Sequence, residues 1–433
     1  MSDYLFMLDN HLDGAQNRAL VTLQQLATAA GMNVWLTGGA MRDMLRGAPI
    51  RDLDFTVERD AVKTGKALAQ ALGGEVLEED PLKRWVELAL PGGITASVGN
   101  ARTEKYARPG GKPQIAPATI HADLARRDFT INSIGLSLNR GSRGLLVDPV
   151  NGQADLMNRE LRTSNPYALF DDPNRIFRLF RFQHVFSFAV VPRTQSQLEN
   201  ALLGNYHAVA SASALAQEIR RAAPDVNALA VLESLDAQGL LAPISVSLTG
   251  AKLNSAGLAK FEKLLHSVLP AGYLGGWFAF LSVLVEKLTV KERAEVVRAF
   301  GHTAAETAFW KKLDAQTTKL EAALKSPRIH RPSQIWESLN DASADEVLLV
   351  LYRSGARVVQ DRIRAYFEKY LPLAQEITDE QVVEAGAKPG TAKFEKVRRA
   401  LITTRLNARP KKVEVVEPEP VPVVLMGRGR GRG

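Results

Sequence analysis

The chain has 433 residues, 45% hydrophobic and 24% charged, and no cysteine. That length exceeds one compact core, so two to four globular domains are expected, and disulfides and thiolate metal sites are excluded. A net charge of +8 favours polyanionic partners, nucleic acid first, with a solvated basic surface as the alternative reading.

The opening MSDYLFMLDNHLDG lacks the basic and apolar regions of a signal peptide. No apolar run reaches the ~20 residues of a membrane helix. The best stretch, Tyr273 to Val285, reads as a buried helix. A soluble cytoplasmic protein with no membrane partner is expected.

Residues 1–30 carry a helical rhythm in Leu20, Leu23 and Leu26. A strand from Asn33 to Leu36 then enters the turn Gly38-Gly39. RDLDFTVE alternates like a second strand, and AVKTGKALAQALGG reads as a helix closed by Gly73-Gly74. EVLEED, RWVELAL and ITASVGNA read as further strands. Residues 103–120, rich in Pro and Gly, read as a flexible loop. Beyond about 170 strand signals nearly vanish and helical patterns follow one another. The order, mixed α/β and then helices, predicts an α+β fold: a palm-like head with a small mixed sheet, then all-helical neck, body and tail. The boundaries are drawn at 1–150 for the head, 151–225 for the neck, 226–370 for the body and 371–410 for the tail. Residues 411–433, Pro-rich and then Arg-Gly alternating, read as disordered. Their Arg-Gly end is either an RNA contact or a solubilising terminus.

Asp52 and Asp54 lie two residues apart in a strand, so both carboxylates share one face while Leu53 and Phe55 share the other. Such a pair repels itself unless a cation sits between, and Mg²⁺ is the natural occupant. An exposed edge strand with two solvated acids is the bland alternative. Gly38 and Gly39 would let a phosphate approach backbone N–H groups. AMRDML reads as a helix start, with Arg42 in its first turn as a phosphate clamp. No Walker pattern is present. A triphosphate–Mg²⁺ site for in-line phosphoryl transfer follows, with two metal ions expected.

RRDFTINS sets two arginines beside an aspartate, which alone reads equally as a helix cap with solvated charges. In DDPNRIFRLFRF, Asp172 precedes Arg175, Arg178 and Arg181 along one side of a helix, with Ile176, Phe177, Leu179 and Phe180 on the other. An amphipathic basic helix is one reading. The other is an amino-acid template: Asp172 accepts from a base amino group and Arg175 donates to a ring acceptor, which suits C and A but not G or U. Arg178 and Arg181 would face phosphates or RNA. Near the end, nine Lys and Arg stand against two Glu in residues 384–412. There Gly390, Lys388 and Lys393 could hold an RNA phosphate, or belong to a solvated basic helix. No His pair has metal-ligand spacing.

LTGGAMRDMLRGAPIRDLDF resembles the first motif of the class II (bacterial-type) tRNA nucleotidyltransferases and the bacterial poly(A) polymerases. DLARRDFTINSIGLSL (123–138) resembles their second motif, and LLVDPVNGQADLMNRELR (145–162) the link from head to neck. FDDPNRIFRLFRF (170–182) resembles the motif usually written Glu-Asp-x-x-Arg, and VEAGAKPGTAKFEKVRRAL a tail-domain segment. The resemblance implies CMP and AMP addition from CTP and ATP to a tRNA 3′ end, with Mg²⁺ on Asp52 and Asp54. It implies that Arg127 and Asp128 touch the incoming nucleotide, the aspartate near the sugar hydroxyl, and that Asp172 and Arg175 read the base. Full CCA addition is the first choice, with poly(A) synthesis or a CC- or A-adding specialist next. Two positions depart from the pattern. Asp171 replaces the Glu of the fourth motif, and Ser97 stands five residues before Arg102, where many members have an acid. Either the pair suffices, or Glu87 or Glu104 substitutes, or activity is reduced. A catalytically weakened RNA-binding protein is the rival from another class.

Overall fold

The computed structural model describes residues 4–225, 227–268 and 276–408. The tail expected over 411–433 lies outside them. The described chain divides into two compact units, one running to Thr318 and including Ala344–Arg353, the other made of Lys319–Ser343 and the residues from Ser354 on.

The first unit opens with α1 (Tyr4–His11) and α2 (Gly14–Ala29). Leu20 and Leu23 of α2 are buried, and Asp13 and Gln16 close its N-terminus as a reciprocal cap. The strand β1 (Val34–Thr37) is buried at all four residues, which suits a central strand. It feeds α3 (Gly38–Leu45), β2 (Asp52–Val57) and α4 (Ala61–Leu72). In β2 the period of two is sharp: Leu53 and Phe55 are core while Asp52 is exposed and Asp54 half-buried. The strands β3 (Glu75–Asp80), β4 (Trp85–Leu90) and β5 (Ile94–Asn100) form an antiparallel meander.

Residues 103–120, expected as a loop, contain a two-stranded antiparallel ribbon of β6 (Arg102–Lys105) and β7 (Gln114–Pro117). Its prolines fall just outside the ribbon at Pro113 and on its last pair at Pro117, where a missing N–H is tolerated. Then come α5 (Ile120–Ala125), β8 (Gly135–Ser137), β9 (Leu146–Val147) and α6 (Gly152–Asn158). The main sheet has the order β3-β4-β5-β2-β1-β8-β9. Only the β2–β5 pairing in it is parallel, so the sheet is mixed.

From α7 (Ala168–Asp171) the unit is helical apart from a two-residue parallel pair, β10 (Glu160–Leu161) with β11 (Ala189–Val190). The helices α8 (Asn174–Val185), α9 (Pro192–Leu203), α10 (Ala212–Ala222) and α11 (Ala228–Ala237) follow. Next are α12 (Ser255–Val268), α13 (Trp277–Leu284) and α14 (Val290–Ala299). One continuous set of buried apolar side chains extends from Leu8 through the sheet to Phe280 and Tyr352. The apolar stretch around 280 is thus the buried α13, and among the described residues no helix is long and apolar enough to cross a membrane.

Among the described residues the regular elements of the second unit are all helices. Its core includes Val382, Ala387 and Phe394. Arg362 donates to three main-chain carbonyls, among them Ser326 at 3.1 Å and Ile329 at 2.6 Å. Its last described helix, Ala392–Asn407, is capped by the Thr391 hydroxyl.

The helix α4 lies close on the sheet because residue 65 is glycine. A Cβ there would sit 2.3 Å from Val86 Cγ1. Gly65→Ala forces α4 off β4 and costs about 1–3 kcal/mol, measured as a fall in the midpoint of the first unfolding transition. An unchanged midpoint would contradict the close packing.

Candidate functional site

The strand-to-helix turn after β1 and the first residues of β2 build the acidic end of the site. Asp54 Oδ2 accepts from the Gly39 N–H at 3.1 Å, and Oδ1 accepts from the Ser97 hydroxyl at 2.8 Å. Gly38 has φ +67°, and a Cβ there would sit 3.0 Å from Asp54 Oδ2 and 3.1 Å from Arg127 Nη1. The glycines therefore let a carboxylate and a guanidinium come close. They do not offer free N–H groups to a phosphate: the Gly38 N–H already donates to Ile134 O at 3.2 Å. Although Asp52 keeps contact with solvent, its partial desolvation, and then the neighbouring Asp54 charge, push its carboxyl above its ordinary range. Among the described residues neither aspartate is in an ion pair.

Two hard carboxylates on one face, neither of them in an ion pair among the described residues, fit a divalent ion such as Mg²⁺. No group of three or more acidic, His or Cys side chains is arranged as a metal site among the described residues. Further ligands would be water and substrate oxygens, as is usual for Mg²⁺.

Arg42 differs from its expected place. The helix begins at Gly38, which puts Arg42 in its second turn. Its guanidinium makes two bonds to Asp43, at 2.9 and 2.8 Å, and one to Asn132 Oδ1 at 2.7 Å, and lies 4.9 Å over the Phe186 ring. The forked contact to a carboxylate and the bond to Asn132 engage three of its five N–H donors.

Asn132 joins this turn to the second motif. Its Nδ2 donates to Asp128 Oδ1 at 3.1 Å, and its carbonyl receives Arg127 Nη1 at 3.4 Å. Arg127 Nη2 also donates to Thr37, Thr56 and Asp123. Asp128 is buried. Burial alone would raise its carboxyl, but Arg178, Arg175 and two hydrogen bonds hold it below the ordinary range. Arg178 Nη2 lies 2.9 Å from Asp128 Oδ2, yet that oxygen and Arg178 Nε have no aligned hydrogen-bond partner.

The helix α8 is buried on more sides than its pattern implied. Ile176, Phe177, Leu179 and Phe180 are core as expected, but Arg175 and Arg181 are buried too. Arg175 donates to Ala168 O at 3.2 Å and Arg126 O at 3.3 Å, and its Nε stands 4.0 Å from Asp172 Oδ2. Asp172 Oδ1 accepts from Asn174, main chain and side chain. Arg178 alone of the three arginines is partly exposed. Arg181 lines the cleft but is buried rather than facing solvent, and it pairs with the buried Glu218 of α10. Glu218 also takes Arg221 at 3.1 Å and Arg178 at 4.0 Å, because α10 packs on α8.

These groups line one cleft of about 790 Å³ that includes Asp52, Asp54, Arg127, Asp128, Asp172 and Arg178. A cleft of that size accepts a ligand of nucleotide dimensions. Lys388, Gly390 and Lys393 belong to the second unit, the first two in the loop before the helix Ala392–Asn407 and Lys393 in its first turn. Gly390 has φ +75°, Lys388 is exposed, and Lys393 Nζ donates to Gly386 O at 2.9 Å. The sequence reading missed Asn132, Asp123, Asp43, Glu218 and Arg221. Asn132 and Asp123 stood inside a quoted motif. Glu218 carried no signal, since an acid on an amphipathic helix is ordinary.

Three guanidinium groups outweigh burial and hold the Glu218 carboxyl below its ordinary value of 4.5. A depressed carboxyl stabilises the fold above that value, and the contribution is lost as pH falls below it. Glu218→Gln therefore destabilises the first unit by about 3–5 kcal/mol at neutral pH. The gap between wild type and variant in thermal midpoint narrows below about pH 4.5. A gap constant from pH 7 to pH 3 would refute the charged pairing.

A family model described as the poly A polymerase head domain matches residues 34–162. An A-adding tRNA nucleotidyltransferase of Halalkalibacterium halodurans is 38% identical over 211 residues, 46% of this chain and 49% of that protein. A CC-adding tRNA nucleotidyltransferase of Deinococcus radiodurans is 35% identical over 182 residues, 42% of this chain and 48% of that protein. The chain thus spans about half the length of these curated relatives. The solved Thermotoga maritima CCA-adding enzyme complexed with tRNA superposes with a TM-score of 0.54 at 22% identity, covering 94% of this chain and 95% of that one, a likeness of fold. Residues 34–162 thus resemble a poly A polymerase head domain, and the first two quoted motifs of this sequence fall inside that match.

Proposed function

We propose that this protein is a template-independent nucleotidyltransferase that adds CMP and AMP, taken from CTP and ATP, to the 3′ end of tRNA. The observation that carries the reading is the Asp52–Asp54 pair, fixed by a glycine N–H and the Ser97 hydroxyl at the edge of the cleft that Asp128, Asp172 and Arg178 also line. The matched head and the relatives named A-adding and CC-adding support it.

In the reaction the terminal 3′-oxygen attacks the α-phosphorus, the bond to the β-phosphate oxygen breaks, and pyrophosphate leaves. Mg²⁺ held by Asp52 and Asp54 would favour the ionised 3′-oxygen and neutralise the triphosphate. Ser97 and Gly39 hold Asp54 in place by satisfying one lone pair on each oxygen. Asp128 Oδ2, buried without a hydrogen bond, is suited to a ribose hydroxyl donor. Asp172 Oδ2 accepts from the exocyclic amine of C or A. Arg175, anchored on two carbonyls, keeps N–H groups for the adjacent ring acceptor. G and U would leave that pair unmatched.

The test uses one tRNA with three ends: lacking CCA, ending in C, and ending in CC. CTP, ATP or both are supplied with Mg²⁺ and the 3′ ends are sequenced. Orderly C, C, A that stops is the expected product. Addition of A to the CC end alone marks an A-adding specialist, of C residues alone a CC-adding one, and long A runs a poly(A) polymerase. Asp52→Ala/Asp54→Ala loses incorporation by at least ~10³-fold. Absence of any incorporation by the wild type, with salt-sensitive tRNA binding retained, overturns the catalytic reading in favour of a weakened RNA-binding protein, which the Ser97 departure would explain.

Lys388 and Lys393 are assigned to RNA backbone contact. Lys388→Ala/Lys393→Ala weakens tRNA binding and reduces the slope of log affinity against log salt by about 2, with little change between tRNA sequences. An unchanged slope removes both residues from the interface.

A further inference from the structure

Counting along β5 leaves the site one acid short, but counting across the sheet does not. Asp54 on β2 is in register with Ser97 on β5, and Ser97 is in register with Glu87 on β4. Residues paired in this way point to the same face of a sheet. Glu87 is therefore on the face of Asp52 and Asp54, one strand beyond the serine, and lines the same cleft. It has no hydrogen bond and no ion pair among the described residues. Among the charges acting on it, after Glu78 and Arg221, are those of Asp52 and Asp54.

The other candidate is already engaged. Glu104 Oε1 binds Arg102 at 2.8 Å and Arg126 at 3.1 Å, and Oε2 accepts the Tyr106 hydroxyl at 2.8 Å. Those partners fix it in the ribbon and leave it no freedom to serve the cleft.

We propose that Glu87 is the third carboxylate of this site, displaced by one strand, and that it positions the divalent cation by accepting hydrogen bonds from the cation's water shell. The inference rests on the nucleotidyltransferase reading above. Adjacent strands lie about 4.8 Å apart, so a carboxylate on β4 stands farther from the cation than one on β5. Glutamate recovers part of that distance with its additional methylene. Action through water agrees with the lack of a three-ligand cluster among the described residues and with the reluctance of Mg²⁺ to shed its waters. The serine left in the row has its own task, since its hydroxyl holds Asp54 Oδ1. Glu87 is thus a positioning residue, and its effect is on cation affinity.

The test measures Mn²⁺ binding to the full chain by electron paramagnetic resonance, without tRNA, beside the Mg²⁺ dependence of nucleotide incorporation. Glu87→Gln keeps the thermal midpoint of the metal-free protein, weakens Mn²⁺ by about tenfold or more, and moves the Mg²⁺ activation midpoint upward by a similar factor. Glu87→Asp lies between Gln and wild type. Ser97→Asp in the Glu87→Gln background restores Mn²⁺ affinity, a rescue that a purely structural role would not produce. Equal Mn²⁺ affinity in wild type and Glu87→Gln overturns the proposal, as does failure of rescue. Should Glu87→Gln not fold, Glu87→Asp decides: Mn²⁺ binding weaker than wild type supports the role of Glu87, and unchanged binding rejects it. Because Mn²⁺ is read without transfer, loss of the nucleotidyltransferase reading and loss of the Glu87 role are separate results.

Discussion

The site is organised around the repulsion between two carboxylates on one strand. Asp52 and Asp54 share a face because Leu53 and Phe55 must enter the core. Among the described residues neither is in an ion pair, and Arg221 and Arg51 only partly offset the charge at Asp52. The surroundings fix Asp54 with an N–H and a hydroxyl, while partial desolvation and the charge of Asp54 push the Asp52 carboxyl above its ordinary range. Gly38 and Gly39 follow from this constraint, since a side chain at either would press on Asp54. A divalent cation would relieve the repulsion, which would couple metal binding to the function proposed.

Farther along the cleft the problem is reversed. Arginines of the second and fourth motifs crowd together and are matched by buried acids. Asp123 takes Arg126 and Arg127, Asp128 takes Arg178, and Glu218 takes Arg181 and Arg221. Pairs this deep add little net stability over apolar packing, but losing one partner leaves a buried charge. Their effect is to hold guanidinium groups in fixed places. Asn132 ties the acidic end to this network, touching Arg42, Asp128 and Arg127 at once.

The division of labour in α8 illustrates what a helical pattern conceals. Spacing alone put Arg175, Arg178 and Arg181 on one polar side. In the fold, α10 and the main chain at Ala168 and Arg126 cover the first and last of them, so only Arg178 keeps partial access to solvent. A periodicity gives the angular position of a residue about its own axis. It carries no information on which neighbour occupies that direction.

Much was legible in the sequence because its rules are local. The alternation of DLDF fixed the shared face of the aspartates, Gly-Gly after a short apolar strand marked the turn, and the motif order marked the head and the helices after it. The ribbon within 103–120 was not legible, because its pairing partners lie across a Pro- and Gly-rich loop whose composition reads as irregular. The engagement of Arg42 by Asp43 and Asn132, the burial of Arg181 on Glu218, and the alignment of Glu87 with Ser97 and Asp54 were likewise decided only by tertiary structure. Each depends on which elements pack side by side and in what register, and those are set by the sum of many distant contacts. The sequence determined the chemistry available along each element. The fold decided which of those groups meet, since a charge is spent or free only with respect to its neighbours in space.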